Sequence, residues 1–183
     1  NKLELVKANE EYENVCDITV SETQDEDTAN IIIWKKNISP NGEQIAGDTT
    51  MGYKKNYAIV RIYSGAYLSN NMKTIIENYP TGGFIGGWDY VTILHELGHA
   101  LGLGHPHDTW GGSEIMDNVN KFSNNLKEEL STDFVGKLKA NQFPYTIMSY
   151  YDIESEFTYD HFWNGFVKNM GPIDILALQI MYG

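Results

Sequence analysis

Four of the five histidines in the chain lie between positions 95 and 107, and this cluster constrains the fold more than any other feature. His95 and His99 are four residues apart, a spacing that places two side chains on the same face of an α-helix. Two imidazoles placed in this way can meet at one metal ion. Glu96 directly follows the first histidine and would lie beside such an ion. This order of residues is the H-E-x-x-H pattern of zinc peptidases.

The cluster continues past the predicted helix as the string HELGHALGLGH, residues 95–105. Gly102 lies three residues after His99, where a glycine with positive φ can end the helix and turn the chain back. His105 then closes the site as a third ligand. We predict one zinc ion held by His95, His99 and His105, with a fourth position left for water. At average composition, three histidines, one glutamate and one glycine would occur at these offsets by chance with odds on the order of 1 in 100,000.

These residue types specify a hydrolytic chemistry. Zinc lowers the pKa of a bound water to about 7. Glu96 can then take the proton as a general base, so that the hydroxide attacks a carbonyl carbon while the ion stabilises the oxyanion. The same carboxyl can return the proton to the leaving amine. The sequence therefore predicts hydrolysis of an amide, most simply of a peptide bond.

Composition excludes several other classes of protein. The chain has 183 residues, of which 42% are hydrophobic and 21% charged, as expected for a globular protein of one domain. Its single cysteine, Cys16, excludes an internal disulfide framework and a cysteine-based zinc site. The net charge of -12 argues against nucleic acid as a partner. No apolar run approaches about 18 residues, so we expect no membrane span. We expect a monomer.

Periodicity and turn residues predict strands early in the chain and helices late, which indicates an α+β fold. Predicted helices cover residues 1–15, 71–79, 90–101, 123–138 and 174–182. Predicted strands cover residues 17–20, 30–34, 44–54 and 57–63. The strand over 44–54 is short, polar and interrupted by glycine, as is typical of a sheet edge. Asp89 is predicted to cap the helix over 90–101 through its carboxylate.

Three stretches of sequence are similar to a known family. The histidine string runs on into Pro106 and Asp108, residues 145–150 read YTIMSY, and the chain ends in GPIDILALQIMYG. With these features the chain resembles the metzincin zinc metallopeptidases, most of all the serralysin-type secreted bacterial proteases, from about Val15 to Gly183. The resemblance implies a metzincin-type catalytic domain, with a twisted mixed β-sheet packed on the zinc-binding helix, a mostly irregular lower part and a C-terminal helix. We expect a single catalytic domain over 1–183, with an upper part to about 105 and a lower part from about 106.

The resemblance also implies roles for single residues outside the histidine string. Met148 would form the hydrophobic floor beneath the zinc ligands, and Tyr150 would be a displaceable fifth ligand that moves to hydrogen-bond the oxyanion. Asp174 would support the methionine turn from the last helix, and it is also placed to accept hydrogen bonds at the helix start. Two alternatives stay open, in which Met148 fills the core and Tyr150 is a buried core tyrosine.

Asp108 either fixes the loop after His105 or is a simple turn residue. His107 and Ile173 depart from the family pattern, which often has glycine at the first position and an acidic residue at the second. We expect His107 to be exposed at the rim, with metal or substrate binding as the alternative. We expect Cys16 to be a small buried hydrophobe, with zinc inhibition or oxidant sensing as the alternative.

The leading hypothesis is a secreted, extracellular zinc endopeptidase whose substrate lies extended along the edge strand over 44–54. A proteinaceous inhibitor or a propeptide is a further candidate partner. No motif indicates calcium, which stays an open alternative as a second cofactor. The rival hypothesis is a zinc-containing protein-binding module with weak or no catalysis, and a weaker one is hydrolysis of a non-peptide amide. Glu96 and Tyr150 argue against the module, because a structural zinc site needs neither.

Overall fold

The computed structural model describes residues 2–36, 47–51, 57–63, 87–109, 113–117, 119, 135–136, 138–151 and 167–183. We number the helices and strands of these ranges in chain order. They are α1 (Lys2–Glu13), β1 (Ile31–Lys36), β2 (Gly47–Met51), β3 (Ala58–Tyr63), α2 (Trp88–Ala100) and α3 (Pro172–Tyr182). The fold is α+β, as predicted. No helix in the described part of the chain is long and apolar enough to cross a bilayer.

The three strands form a small mixed sheet in the order β1-β3-β2. β1 runs parallel to β3, with Ile31 opposite Ala58, and β2 runs antiparallel to β3, with Thr49 opposite Val60. The predicted strands over 30–34 and 57–63 are confirmed. The edge strand predicted over 44–54 is confirmed for its described part, because β2 has β3 on one side and no partner among the described strands on the other.

The predicted strand over 17–20 is wrong. The chain leaves α1 in a turn, in which the Cys16 amide donates to the Tyr12 carbonyl at 3.2 Å. The Val20 amide donates to the Glu13 carboxylate at 2.7 Å, so a side chain takes the place of a strand partner. Alternating polar and apolar residues form a strand only where a neighbouring strand pairs with them. Cys16 itself is buried, with 7% of its surface exposed, as predicted.

Helix α2 begins two residues earlier than predicted and without the predicted cap. Gly87 occupies the N-cap position with extended backbone and makes no side-chain capping bond. Asp89 therefore lies inside the first turn, where a negative charge still interacts favourably with the helix dipole.

The predicted stop after α2 is confirmed. Gly102 has a φ of +100°, and its amide donates to the His99 carbonyl at 3.0 Å. The Leu103 amide donates to the Gly98 carbonyl at 2.9 Å. This pair of bonds is the Schellman arrangement, which needs a residue that tolerates positive φ. The glycine thus turns the chain back toward the helix it has just left.

Helix α3 begins at Pro172, two residues before the predicted start, and ends with Gly183 as its C-cap. The predicted helix over 71–79 lies outside the described residues, and so does the one over 123–138 except for 135–136 and 138. Side chains from α1, β3, α2, α3 and the segment before Tyr150 share one hydrophobic cluster. Its fully buried members include Ala8, Tyr12, Val60, Leu94, Ile147 and Leu178. This core fixes α2 between the sheet and the C-terminal segments.

Candidate metal centre

The ring nitrogens of three histidines converge at one point beside α2. His105 Nε2 lies 3.2 Å from His95 Nε2 and 2.9 Å from His99 Nε2. Nitrogen ligands at about 2.0–2.1 Å from a tetrahedral ion stand about 3.3–3.4 Å apart. The three predicted ligands are therefore spaced closely enough to share one ion. In the described part of the chain, they form a group of side chains that could hold a metal.

The opposite nitrogen of each ring has its own acceptor. His95 Nδ1 donates to the Ile147 carbonyl at 2.7 Å, and His99 Nδ1 donates to the Leu103 carbonyl at 2.8 Å. His105 Nδ1 donates to Asp108 Oδ2 at 2.8 Å. With a proton on Nδ1, each ring is the tautomer whose Nε2 carries a lone pair toward the common point. The anchors also fix the orientation of the rings, as metal sites require.

Burial keeps these imidazoles uncharged. It lowers the pKa of His95 well below its usual value and that of His99 to about 4, with neighbouring histidines adding to both effects. Burial also lowers the pKa of His105, although the nearby Asp108 carboxylate opposes this shift. Neutral imidazole is the form that binds a metal ion, because the charged ring has no free lone pair.

Met148 packs against α2 at Gly98, between the positions of His95 and His99. Met148 is 2% exposed. Its Sδ lies 2.8 Å from the point where a Cβ on Gly98 would stand, so the thioether contacts the backbone between His95 and His99. Met148 also belongs to the shared hydrophobic core.

Asp174 connects α3 to the segment that carries Met148. Its Oδ2 accepts from the amides of Ile147 at 2.8 Å and Gly171 at 2.9 Å, and its Oδ1 accepts from the Thr146 hydroxyl at 2.5 Å. The bond from Gly171 is the helix-start contact expected from the sequence. Since the carbonyl of Ile147 accepts from His95, this buried carboxyl supports a candidate metal ligand through one intervening residue, Ile147.

Glu96 points toward the sheet and is only 5% exposed. Its Oε2 lies 2.8 Å from the hydroxyl of Thr49, on strand β2. Burial raises the pKa of Glu96 to about 7; the bond from Thr49 opposes this shift and the charge of Asp48 adds to it. A carboxyl with a pKa near neutrality can both accept and return a proton.

Tyr150 is 52% exposed, so the buried-core alternative is wrong. Its ring centroid lies 5.6 Å from that of His95 and 4.7 Å from that of His105. We call the group of His95, His99 and His105 the metal cradle. Tyr150 stands at its solvent side, next to two of these three candidate ligands.

His107 is not at the exposed rim, and that prediction is wrong. It is 0% exposed, its ring is almost parallel to that of His105 with centroids 5.0 Å apart, and it lies 4.7 Å from the Tyr150 ring. The chain folds back here, with the Met116 amide donating to the Pro106 carbonyl at 2.9 Å. His107, His105 and Asp108 form a second group with metal-ligand spacing.

Sequence reasoning missed several parts of the site. The carbonyls of Leu103 and Ile147 hold two of the histidine rings, and backbone acceptors leave no signal in a sequence. Thr49 and Gly47 contact Glu96 from a strand almost fifty positions earlier. A polar residue facing inward on a predicted edge strand was the available hint for Thr49.

Comparison with known proteins supports the resemblance over part of the chain. The chain is 34% identical over 99 residues to serralysin from Proteus mirabilis. The match covers 54% of this chain and 17% of that protein. No protein-family model matches the chain. The chain is thus similar to serralysin over about half of its own length.

Proposed function

We propose that this chain is the catalytic domain of a zinc-dependent endopeptidase. One observation carries the proposal, namely that His105 Nε2 lies 3.2 Å from His95 Nε2 and 2.9 Å from His99 Nε2 while an acceptor holds the Nδ1 of each ring. The similarity to serralysin supports the same activity. The neighbouring carboxyl of Glu96 and hydroxyl of Tyr150 supply the groups that hydrolysis needs.

The donor set fits zinc. Three imidazoles from one short sequence, with a fourth position left for water or substrate, are the ligands of many catalytic zinc sites. A structural zinc site would be closed by a fourth protein ligand. When bound, zinc supplies Lewis-acid polarisation of a carbonyl group and makes water acidic near neutral pH.

Glu96 would act as the general base and then as the general acid. It takes a proton from the attacking water, and it gives a proton to the amine that leaves when the peptide bond breaks. Its burial suits both steps, because a carboxyl removed from water holds its proton more tightly than a solvated one. Tyr150 would donate a hydrogen bond to the carbonyl oxygen as that oxygen gains negative charge.

The substrate would lie extended along β2. This strand is at the edge of the described sheet, and it runs directly over Glu96. Main-chain hydrogen bonds to an edge strand bind peptides with little regard to sequence, while pockets for alternate side chains set preference. A propeptide or a proteinaceous inhibitor would bind in the same way.

The experiment that tests this proposal measures metal and activity on the same sample. Purified protein is analysed for zinc by mass spectrometry and assayed on casein and on a peptide library. We expect about one zinc per chain, cleavage of peptide bonds, loss of cleavage after a chelator and recovery with added zinc.

Two results would replace the proposal with one of its rivals. Zinc at full occupancy without cleavage of any peptide would favour a protein-binding module. Cleavage of small amides but not of peptides would favour a different amidohydrolase. A protein that cleaves casein equally well with and without the chelator would contradict the metal assignment.

We propose that the protein acts outside the cell, because the family it resembles is a family of secreted proteases. The test compares the culture medium with the washed cells of the producing organism, using an antibody against residues 1–183. Protein found only inside intact cells would contradict this.

A further inference from the structure

Strand β2 encloses the carboxyl group of Glu96 from two sides. Gly47 and Thr49 are two positions apart on the strand, so they share the face that packs on α2. The Thr49 hydroxyl lies 2.8 Å from Glu96 Oε2 and 2.9 Å from the Glu96 carbonyl oxygen. One threonine thus contacts both the side chain and the backbone of the residue proposed as the base.

The other contact is a close approach that only glycine allows. A Cβ on Gly47 would stand 2.7 Å from Glu96 Cγ, 2.9 Å from Oε1 and 3.0 Å from the Arg61 carbonyl oxygen. Contacts this short force something to move. Gly47 therefore lets β2 lie against one side of the glutamate while Thr49 holds the other.

The strand is itself fastened to the sheet on both sides of this contact. Asp48, between the two contact residues, accepts from Arg61 Nη1 at 2.5 Å and from the Tyr63 hydroxyl at 2.6 Å. Thr50, which follows Thr49 on the strand, accepts from the same Arg61 guanidinium at 2.9 Å. These bonds from β3 fix the height and register of Thr49 above α2.

We propose that Thr49 is a positioning residue for the general base, so that the strand which pairs with the substrate also sets the orientation of Glu96. This inference rests on the proposed peptidase function. A glutamate side chain has three rotatable bonds, and the carboxylate must meet the water and the leaving amine in turn. Fixing one of its oxygens from β2 removes most of that freedom before the substrate arrives.

The role has a distinct kinetic consequence. The side chain of Thr49 is directed at Glu96, so any contact of this residue with a substrate on β2 would come from its backbone, which substitution of the side chain leaves in place. Loss of the Thr49 hydroxyl should therefore lower kcat and leave KM nearly unchanged. Since Thr49 acts through Glu96, its effect should disappear once the carboxylate is gone.

The experiment uses zinc-loaded protein and one peptide substrate. Thr49→Val keeps the shape and removes the hydroxyl, Thr49→Ser keeps the hydroxyl, and Thr28→Val makes the same change in an exposed turn away from the site. We expect kcat to fall about tenfold in T49V with KM changed less than about threefold. We expect T49S within about threefold of the unmodified protein and T28V within about twofold. Zinc content should be equal in all four.

Two further measurements separate positioning from a general structural role. In the Glu96→Gln background, T49V should lower the residual kcat by less than about twofold. The carbon-13 resonance of the Glu96 carboxyl should move in T49V and stay in place in T28V. If T49V does not fold, as its melting curve would show, Thr49→Ala takes its place in every assay.

The inference is overturned if T49V keeps kcat within about twofold, if T49S is as slow as T49V, or if the loss is undiminished in E96Q. Failure of the proposed function gives a different result. In that case the unmodified protein cleaves no peptide at any zinc concentration, and the variants cleave none either.

Discussion

The metal cradle and the surroundings of the proposed base are built in different ways. The three histidines lie within eleven consecutive residues, and two of their anchors, Leu103 and Asp108, belong to the same stretch or its immediate continuation. Glu96 belongs to that stretch too, but its contacts come from Gly47 and Thr49 on a strand of the sheet. Ligand geometry is mainly local, and the position of the base depends on long-range packing.

This difference implies that metal binding and catalysis can be separated by mutation. Changes within the cradle should alter zinc affinity first. Changes around the base should alter kcat and leave zinc in place. For Glu96→Gln, Tyr150→Phe and Asp108→Ala both quantities are measured, so any of these variants that changes zinc affinity and kcat together weakens the comparison.

The largest effect is expected for Glu96→Gln. The amide keeps the size of the side chain but cannot accept a proton, so kcat should fall by about 100- to 10,000-fold. Zinc content should stay close to one per chain, because Glu96 is not a ligand. Metal analysis and peptide kinetics on one preparation measure both. Digestion at nearly the unmodified rate would show that another group is the base.

Tyr150→Phe should have the next largest effect. It removes one oxygen and keeps the ring beside His95 and His105. Loss of one oxyanion donor should lower kcat by roughly 10- to 1000-fold, with KM changed less than about threefold. Zinc content and the melting temperature should be unchanged. A variant with normal kcat would limit the tyrosine to packing.

Asp108→Ala should change zinc affinity and leave kcat nearly unchanged, which is the opposite of the two variants above. The variant removes the acceptor of His105 Nδ1, so zinc affinity should weaken by about 10- to 100-fold. At saturating zinc, kcat should stay within about threefold, because the base and its strand are untouched. Zinc titration against a competing chelator gives the affinity. Normal affinity in D108A would make Asp108 a simple turn residue.

The smallest effect concerns the sheet beside the base. Burial raises the pKa of Tyr63 from 10.0 to about 12, and its bond to Asp48 adds to the shift. The folded protein then holds this proton where the unfolded chain loses it. The contribution to stability is complete below pH 10 and is lost as pH rises through about 12, with a slope of at most about 1.4 kcal/mol per pH unit. Tyr63→Phe should lose less stability than the unmodified protein between pH 10 and 12 in denaturant titrations. If the free energy of unfolding of both proteins has the same pH dependence in this range, the Tyr63 hydroxyl is solvated in the folded state.

The sequence alone predicted much of the fold and most of the cradle. Periodicity located α1, α2, α3 and all three described strands to within a few residues. The string HELGHALGLGH predicted the helix, its stop at Gly102 and the return of His105, because helical spacing and positive φ are local properties. The similarity of YTIMSY and GPID to a known family pointed to Met148 and Asp174, and the structure shows Met148 against Gly98 and Asp174 bonded to the Ile147 amide. The backbone carbonyls of Ile147 and Leu103, which accept from His95 and His99, could not be predicted from the sequence.

Only the tertiary structure decided the rest. The alternating residues 17–20 form no strand because the Glu13 side chain binds a backbone amide where a strand partner would have to pair. His107 is buried because the loop after His105 folds back against the protein, and no spacing rule specifies that fold. Thr49 meets Glu96 because β3 holds β2 at a particular register above α2. Local spacing determines which atoms can share a metal ion, whereas the burial of a side chain and the partner of a carboxylate depend on segments that are distant in sequence and meet only in the folded chain.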